Sequence, residues 1–307
     1  MNPNLVLLQS ATMFAMAGAV LALSTFVTLW TGILSFATVT FAAVGAFGST
    51  WLVTNTDLGL GLSILVGAAA AGVFGLVVGR MFLKLSSHWM ALATVALVLI
   101  TRVFVVNLGE YTGGSAGEVV PESLSILQML GLLVIVCAAL FFLKRSKFGV
   151  AADTTREDPD VASALGVPVA RIKIIAFGLS GAIGAVGGVM QASQLSYIDP
   201  DTFYVDLSVT VIASVVLGGA YHWFGSVIGA AVFTGLPVYI SQYISVGQSI
   251  INGALLLAII IWLPGGLVDP VRWRRRQERR RAKSDAAAPD AQQHEQGPSL
   301  ETTGATS

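Results

Sequence analysis

The chain has 307 residues, of which 55% are apolar and only 11% charged, and its mean hydropathy is +0.78. A water-soluble domain carries roughly a quarter charged residues, so the composition excludes an ordinary soluble fold. The net charge of zero hides local clusters of basic residues, and Cys137, the single cysteine, excludes a disulfide framework.

In chain order, about nine apolar runs approach the roughly 20 residues needed to cross a bilayer. They are residues 5–29, 33–53, 60–79, 88–106, 123–143, 174–194, 207–220, 224–243 and 247–263. Inside lipid a backbone must satisfy its own hydrogen bonds, so helices are expected throughout. The fold class is therefore all-α, a polytopic transmembrane bundle of about nine spans. The seventh run is short, and a tilted, broken or re-entrant segment there gives a range of about eight to ten. The first run has no basic region or cleavage-like site near it and reads as a retained span.

Basic residues orient the bundle. Arg80 and Lys84 share one loop; Lys144, Arg145, Lys147, Arg156, Arg171 and Lys173 share another; Arg272 and its neighbours follow the last run. Placing all three groups in the cytoplasm requires an odd number of spans, with the N-terminus outside and the C-terminus inside. Trp30, Trp51, Trp89, Trp223, Trp262 and Trp273 fall at or just beyond run ends, where indoles prefer the membrane–water interface. The division is a transmembrane domain over 1–270 and a cytoplasmic tail over 271–307. The tail opens with a basic block suited to an anionic leaflet and continues in polar, low-complexity sequence expected to be disordered.

Two stripes of small residues recur at four-residue spacing: Gly67, Ala71, Gly75 and Gly79 in the third run, and Ser180, Gly184 and Gly188 in the sixth. Such stripes let helix backbones approach closely, and packing is their expected role.

The chemistry of an enzyme is missing from the pattern. There is no G-x-x-x-x-G-K-[ST] loop to cradle phosphates, and His88, His222 and His294 lack metal-ligand spacing. No H-E-x-x-H or G-x-S-x-G motif occurs. The span centres carry no carboxylate, which argues against a cation-coupled carrier. Arg102 sits toward the outer end of the fourth run, and Asp199, Asp201 and Asp206 lie in or beside an outer segment.

The loop over 144–173 is the most legible segment. It is too long for a tight connection and reads as a small structure of its own. Thr154 or Thr155 is expected to cap a short helix, with Glu157 and Asp158 in the first turn, where the helix dipole favours acids. Pro159 suits a first-turn position, residues 160–165 continue the helix, and Gly166 and Pro168 end it.

Here the sequence resembles a known family. Ser146-Lys147-Phe148-Gly149, Arg156-Glu157-Asp158, Ala162-x-Ala164-Leu165-Gly166-Val167 and Arg171-x-Lys173 are similar to the signature loop of the branched-chain amino acid ABC transporter permeases, and most of all to the LivM-type subunit. Thr31-Gly32-Ile33-Leu34-Ser35-Phe36, Thr112-Gly113-Gly114-Ser115-x-Gly117, Ile198-x-Pro200-Asp201-x-Phe203, Val216-Leu217-Gly218-Gly219 and Pro264-x-Gly266-Leu267 resemble further family segments in the same order. Departures are Val150, Ala151, Ala152 and Asp153 where relatives often carry arginines, Pro159 within the acidic run, Thr38 in place of histidine, and Tyr221 and Ser226 in place of glycine and proline.

The resemblance implies a permease in the bacterial inner membrane, translocating branched-chain amino acids or similar small polar solutes into the cell. It implies as partners a second related permease subunit, two cytoplasmic ATPase subunits and an external solute-binding protein. ATP is bound and hydrolysed by the ATPases, so this chain itself needs no cofactor. Nucleic-acid binding is not expected. The ATPase-coupling residues implied are Arg156, Glu157, Asp158, Asp160, Ala162, Ala164, Leu165 and Gly166. For the substrate path, Thr38, Thr40 and Phe41 offer hydroxyls and an aromatic within a span, as suits a small zwitterion; helix packing and back-bonded hydroxyls are the competing role. The competing function is a stand-alone secondary transporter or channel, which predicts transport without ATP or a binding protein.

Overall fold

The computed structural model describes residues 3–219 and 222–240, together with Gly253 and Leu257. The rest of the ninth run, the tail over 271–307, Trp262, Trp273, His294 and Tyr221 lie outside these residues. The described chain is helical but for a two-stranded ribbon and short connections. Five of its helices are long and apolar enough to cross a membrane: Leu7–Trp30, Leu60–Phe82, His88–Asn107, Ile126–Arg145 and Val169–Leu195.

The first helix, α1 (Pro3–Trp30), and α9 (Val169–Leu195) form the centre. Their span windows are 72% and 61% buried, against 17% for α6 (Ile126–Arg145) and 22% for α4 (Ser87–Asn107). Each of these two helices buries one narrow stripe (Met90, Val98 and Val105 on α4; Met129, Val136 and Leu140 on α6) and turns apolar side chains outward over the rest of its surface, as befits helices solvated by lipid. Between these extremes lie α2 (Thr38–Asn55) and α3 (Leu60–Phe82). Residue chemistry sets the helix ends. Ser125 and Gln128 close a reciprocal capping box at the start of α6, while Lys144 and Arg145 occupy its last turn, where cations favour the dipole.

Small residues make the centre possible. A Cβ placed at Gly75 would stand 2.4 Å from the Phe177 carbonyl oxygen, one at Gly181 would stand 2.3 Å from the Ala71 carbonyl oxygen, and one at Gly79 would stand 2.9 Å from the Phe177 Cβ. Gly67 faces the Ser49 hydroxyl of α2, Gly184 faces Phe41 and Ser24, and Gly188 faces the Ala42 backbone. Together the two stripes bring α3 and α2 against α9 at backbone distance. In lipid the attraction is dispersion between closely fitted surfaces, since no hydrophobic gain is available.

The second helix starts later than the apolar run at 33–53 suggests. At the end of α1 the chain turns through Gly32, with φ of +80°. The Gly32 N–H bonds the Leu29 carbonyl and the Ile33 N–H bonds the Thr28 carbonyl, the pairing of a Schellman C-cap. Residues 33–37 then run back alongside α1 without helical structure. Irregular backbone is tolerated here because several of its donors are met: the Ile33 N–H by the Thr28 carbonyl, the Phe36 N–H by the Thr94 hydroxyl and the Ala37 N–H by the Ser35 hydroxyl. Thr38 thus begins α2 level with Ser24 and Thr25, about 8 Å inside the end of α1 at 1.5 Å per residue.

The remaining elements are short. α5 (Gly109–Thr112), a 3-10 turn (Gly114–Ala116) and β1 (Glu118–Val119) follow α4. The 144–173 segment folds as α7 (Lys147–Glu157) and α8 (Pro159–Ala164). After α9 come β2 (Tyr197–Ile198), α10 (Val205–Gly218), α11 (Trp223–Ala230), a π-helical turn (Ala231–Gly235) and α12 (Leu236–Ile240). α10 has 14 residues, about 21 Å at helical rise and short of a full crossing. It pairs with α11 through Gly218, Gly225 and Gly229, each stacked on the other helix's backbone.

Candidate functional site

The 144–173 segment holds two consecutive helices, and its capping differs from expectation. Ser146 caps α7, accepting the Phe148 N–H at 3.2 Å. Thr154 and Thr155 lie inside the last turn of α7, where the Thr154 hydroxyl bonds back to the Val150 carbonyl. The cap of the short helix is instead Asp158, whose carboxylate accepts the Asp160 and Val161 N–H groups at 2.9 and 3.1 Å. Pro159 follows at the first helical position. The physical reason is reach: Asp158 stands next to the free N–H groups of α8, whereas either threonine is better placed to extend α7. Gly166, with φ of +83°, closes α8 in the left-handed region.

Of the residues singled out by sequence, Glu157, Asp158, Asp160, Ala164, Leu165 and Gly166 are exposed, Arg156 is half-buried and Ala162 is fully buried. Leu165 and Val161 project their apolar side chains outward, at 72% and 52% exposure. α8 thus stands proud of the bundle on one buried foothold, Ala162.

The arm is fixed to the bundle through α7. Phe148 and Ala152 pack with Phe26, Trp30 and Ile172. Trp30 is stacked with Phe26 and meets Phe148 edge to face. Its Nε1 donates to Asp153 Oδ1 at 2.5 Å. This corrects the interfacial role suggested for Trp30: the indole is 1% exposed and is the post on which α7 rests. Trp89, at 66% exposure in the first turn of α4, does face outward. At the other side of α7, Lys144 Nζ lies 3.0 Å from His222 Nδ1. Burial, then Lys144, hold the His222 ring below the ordinary histidine range, opposed by Asp153. The Trp30–Asp153 pair joins residues 123 positions apart, and no spacing rule could have found it.

The interior carries a seam of hydroxyls. Ser24 bonds the Ser180 carbonyl at 2.7 Å and lies 3.0 Å from its hydroxyl. Thr25 donates to the Thr38 hydroxyl at 2.8 Å, and the Thr38 and Ser24 hydroxyls lie 3.2 Å apart. The Thr101 and Thr40 hydroxyls lie 3.1 Å apart, within hydrogen-bond distance, and Phe41 meets Phe74 edge to face. Thr38, Thr40 and Phe41 are all within 2% of full burial. They bind α2 to α1, α4 and α3, and they line neither of the two cavities below.

At the end of the bundle opposite α7, sequence segments far apart are brought together. β1 pairs antiparallel with β2, Glu118 opposite Ile198 and Val119 opposite Tyr197. The Tyr197 hydroxyl bonds the Ala116 carbonyl. Gly117 must lack a side chain, since its Cβ would fall 2.5 Å from the Ile198 carbonyl oxygen. Burial pushes the Glu118 carboxyl up. Arg102 bonds Asp201 at 2.7 Å and its guanidinium lies over Tyr204, so it is held by the connection between α9 and α10. The hydrogen bond from Arg102, more than their Coulomb attraction, holds the Asp201 carboxyl below the usual carboxylate range.

Among the described residues, two cavities of a few hundred Å³ open in this half. One of about 270 Å³ lies between α2, α4 and α5 and is walled almost wholly by apolar groups such as Phe47, Trp51 and Phe104. The other, about 350 Å³, lies between α1, α9, α10 and the π turn, and includes Gln191, Asp206, Thr210 and Thr234.

Comparison with known proteins places the sequence in a family. Residues 7–263 match the family described as branched-chain amino acid transport system / permease component. The chain is 28% identical over 288 residues to the high-affinity branched-chain amino acid transport system permease protein LivM of Salmonella typhimurium, covering 80% of this chain and 66% of that protein. It is 26% identical over 284 residues to LivM of Escherichia coli, with the same coverage of each. It is 29% identical over 208 residues to the xylose/arabinose import permease protein XylH of Sulfolobus acidocaldarius, covering 64% of this chain and 54% of that one. The chain thus spans just under two thirds of the length of the LivM proteins it matches. No solved structure matches it.

Proposed function

The chain belongs to the branched-chain amino acid transport system permease family, and from that premise we propose that it is the membrane-spanning subunit of an ATP-binding-cassette importer. In this reading it pairs with a second, related permease subunit in the inner membrane. Two ATPase subunits bind the face bearing α7 and α8, which is cytoplasmic, and a solute-binding protein delivers its cargo to the opposite face. The cargo is a branched-chain amino acid or a similar small polar solute. ATP is bound and hydrolysed on the partner chains.

The observation that carries this reading is the arm itself. A six-residue helix, capped by its own Asp158, presents Val161 and Leu165 outward. It is connected through α7 to Trp30 at the foot of the central helix. A lever so placed passes a push on α8 into α1, and from α1 through the Ser24–Ser180 and Thr25–Thr38 bonds into α9 and α2. Exposed apolar side chains beside acids suit a groove on another protein better than open water.

The test is purification with candidate ATPase subunits, followed by ATP turnover with and without loaded binding protein. Ligand-stimulated hydrolysis and ATP-dependent uptake are expected. Uptake that persists without the ATPases overturns the proposal.

A further inference from the structure

The 350 Å³ cavity between α1, α9, α10 and the π turn has a composition unlike the rest of the interior. Its volume lies at the small end of the range for solute sites, roughly 300–1,000 Å³. Phe14, Leu21, Leu207 and Phe233 supply an apolar wall. Against it stand four polar groups, and their hydrogen-bonding states differ. The Thr210 hydroxyl donates to the Asp206 carbonyl at 2.9 Å and the Thr234 hydroxyl to the Ala230 carbonyl at 2.7 Å. Both oxygens therefore face the space as acceptors only. Asp206 adds a carboxylate, also an acceptor. Gln191, half-buried, makes no hydrogen bond among the described residues, so its amide offers the one donor as well as a further acceptor.

The backbone around the cavity is specialised as well. Residues Ala231–Gly235 form a π-helical turn, a rare interruption that recurs at functional sites. It brings Thr234 so near α1 that a Cβ at Gly18 would lie 2.5 Å from the Thr234 Oγ1. Gly18 and Leu21 precede Trp30 by about 14–18 Å of helix, which sets the cavity in the half of the bundle away from α7.

We propose that this cavity is a binding station for a solute that carries a primary ammonium group on an apolar body. Asp206, Thr210 and Thr234 take the ammonium, whose three N–H donors match three acceptors. The apolar wall takes the hydrocarbon, and the Gln191 amide N–H meets a carboxylate where the solute has one. A neutral polyol is the weaker match, because it can donate to these oxygens but gains no charge attraction from Asp206. The naming of this solute rests on the permease reading; the chemistry of the lining does not.

The experiment uses the full chain in lipid nanodiscs, with Cys137→Ala to remove the native thiol and Leu207→Cys as a reporter on the wall. Labelling by a small water-soluble thiosulfonate is measured with L-leucine, 3-methylbutylamine, 4-methylpentanoate or xylose as competitor. L-leucine and 3-methylbutylamine are expected to protect; 4-methylpentanoate and xylose are not. Asp206→Asn should raise the protecting concentration about tenfold or more, the loss expected for one charge-assisted hydrogen bond. Protection by xylose, indifference to Asp206→Asn, or a reporter that never labels would each overturn the assignment. Saturation-transfer NMR with the native chain and with Asp206→Asn repeats the comparison without a reporter cysteine. Because no ATPase is present, failure here leaves the importer reading standing, and failure of the ATPase assay leaves this site standing.

Discussion

Replacing Gly188 by alanine tests the central packing directly. The added Cβ would sit 2.1 Å from the Ala42 carbonyl oxygen and 2.6 Å from the Ala42 Cα. Both are backbone atoms, so no rotamer change relieves the overlap, and α2 and α9 must part by about 1 Å. Overpacking of this kind costs about 1–3 kcal/mol. The same displacement stretches the Ser24–Thr38 and Thr25–Thr38 bonds, now 3.2 and 2.8 Å, each worth about 0.6 kcal/mol in a membrane. Alanine's better helix propensity returns about 1 kcal/mol, leaving a net loss of about 1–3 kcal/mol. Gly131→Ala, in α6, is the matched control: nothing lies within 4 Å of its Cβ position, so only the propensity gain applies. Thermal unfolding in detergent is followed with a fluorogenic thiol dye that reports exposure of the half-buried Cys137. A separation of about 5–10 °C between the two variants is expected from the usual scaling. Equal midpoints would refute the close approach of α2 and α9.

Asp158→Ala removes the cap of α8 and should cost about 1 kcal/mol locally; it is expected to lower ligand-stimulated ATP turnover of the assembled importer while leaving the thermal midpoint of the bundle unchanged. Gly166→Val forces a β-branched residue to φ of +83°, whereas Gly166→Asn keeps a residue that tolerates the left-handed region; uptake should survive the second better than the first. The Asp201 carboxyl is held below its ordinary value, so its bond to Arg102 contributes at any pH above the unfolded value of about 3.9 and is lost as pH falls through the lower folded value. The difference in thermal midpoint between the native chain and Asp201→Asn should then be flat from about pH 5 to 8 and vanish in stronger acid.

Sequence alone determined that this is a helical membrane protein, because an apolar run of sufficient length has no other stable backbone in lipid. It also determined the packing faces, since four-residue spacing of Gly67, Ala71, Gly75 and Gly79 places them on one side of any helix. The motif resemblance pointed to the family. What periodicity could not supply was anything that depends on the chain leaving one helix and meeting another. Residues 33–37 have the composition of a span, yet they fold back irregularly, with Thr94 and Ser35 satisfying the N–H groups of Phe36 and Ala37. Trp30 has the position of an interfacial anchor, yet tertiary structure buries it under α7 with Asp153 as its partner. The loop motifs at 112–117 and 198–203 are separate in sequence and become one platform only through the β1–β2 pairing. Gln191, Asp206, Thr210 and Thr234 come from three segments and carry no common pattern. Local sequence encodes a helix and the face it buries; which polar side chains then share a cavity is decided by packing distances across the bundle, which no single segment contains.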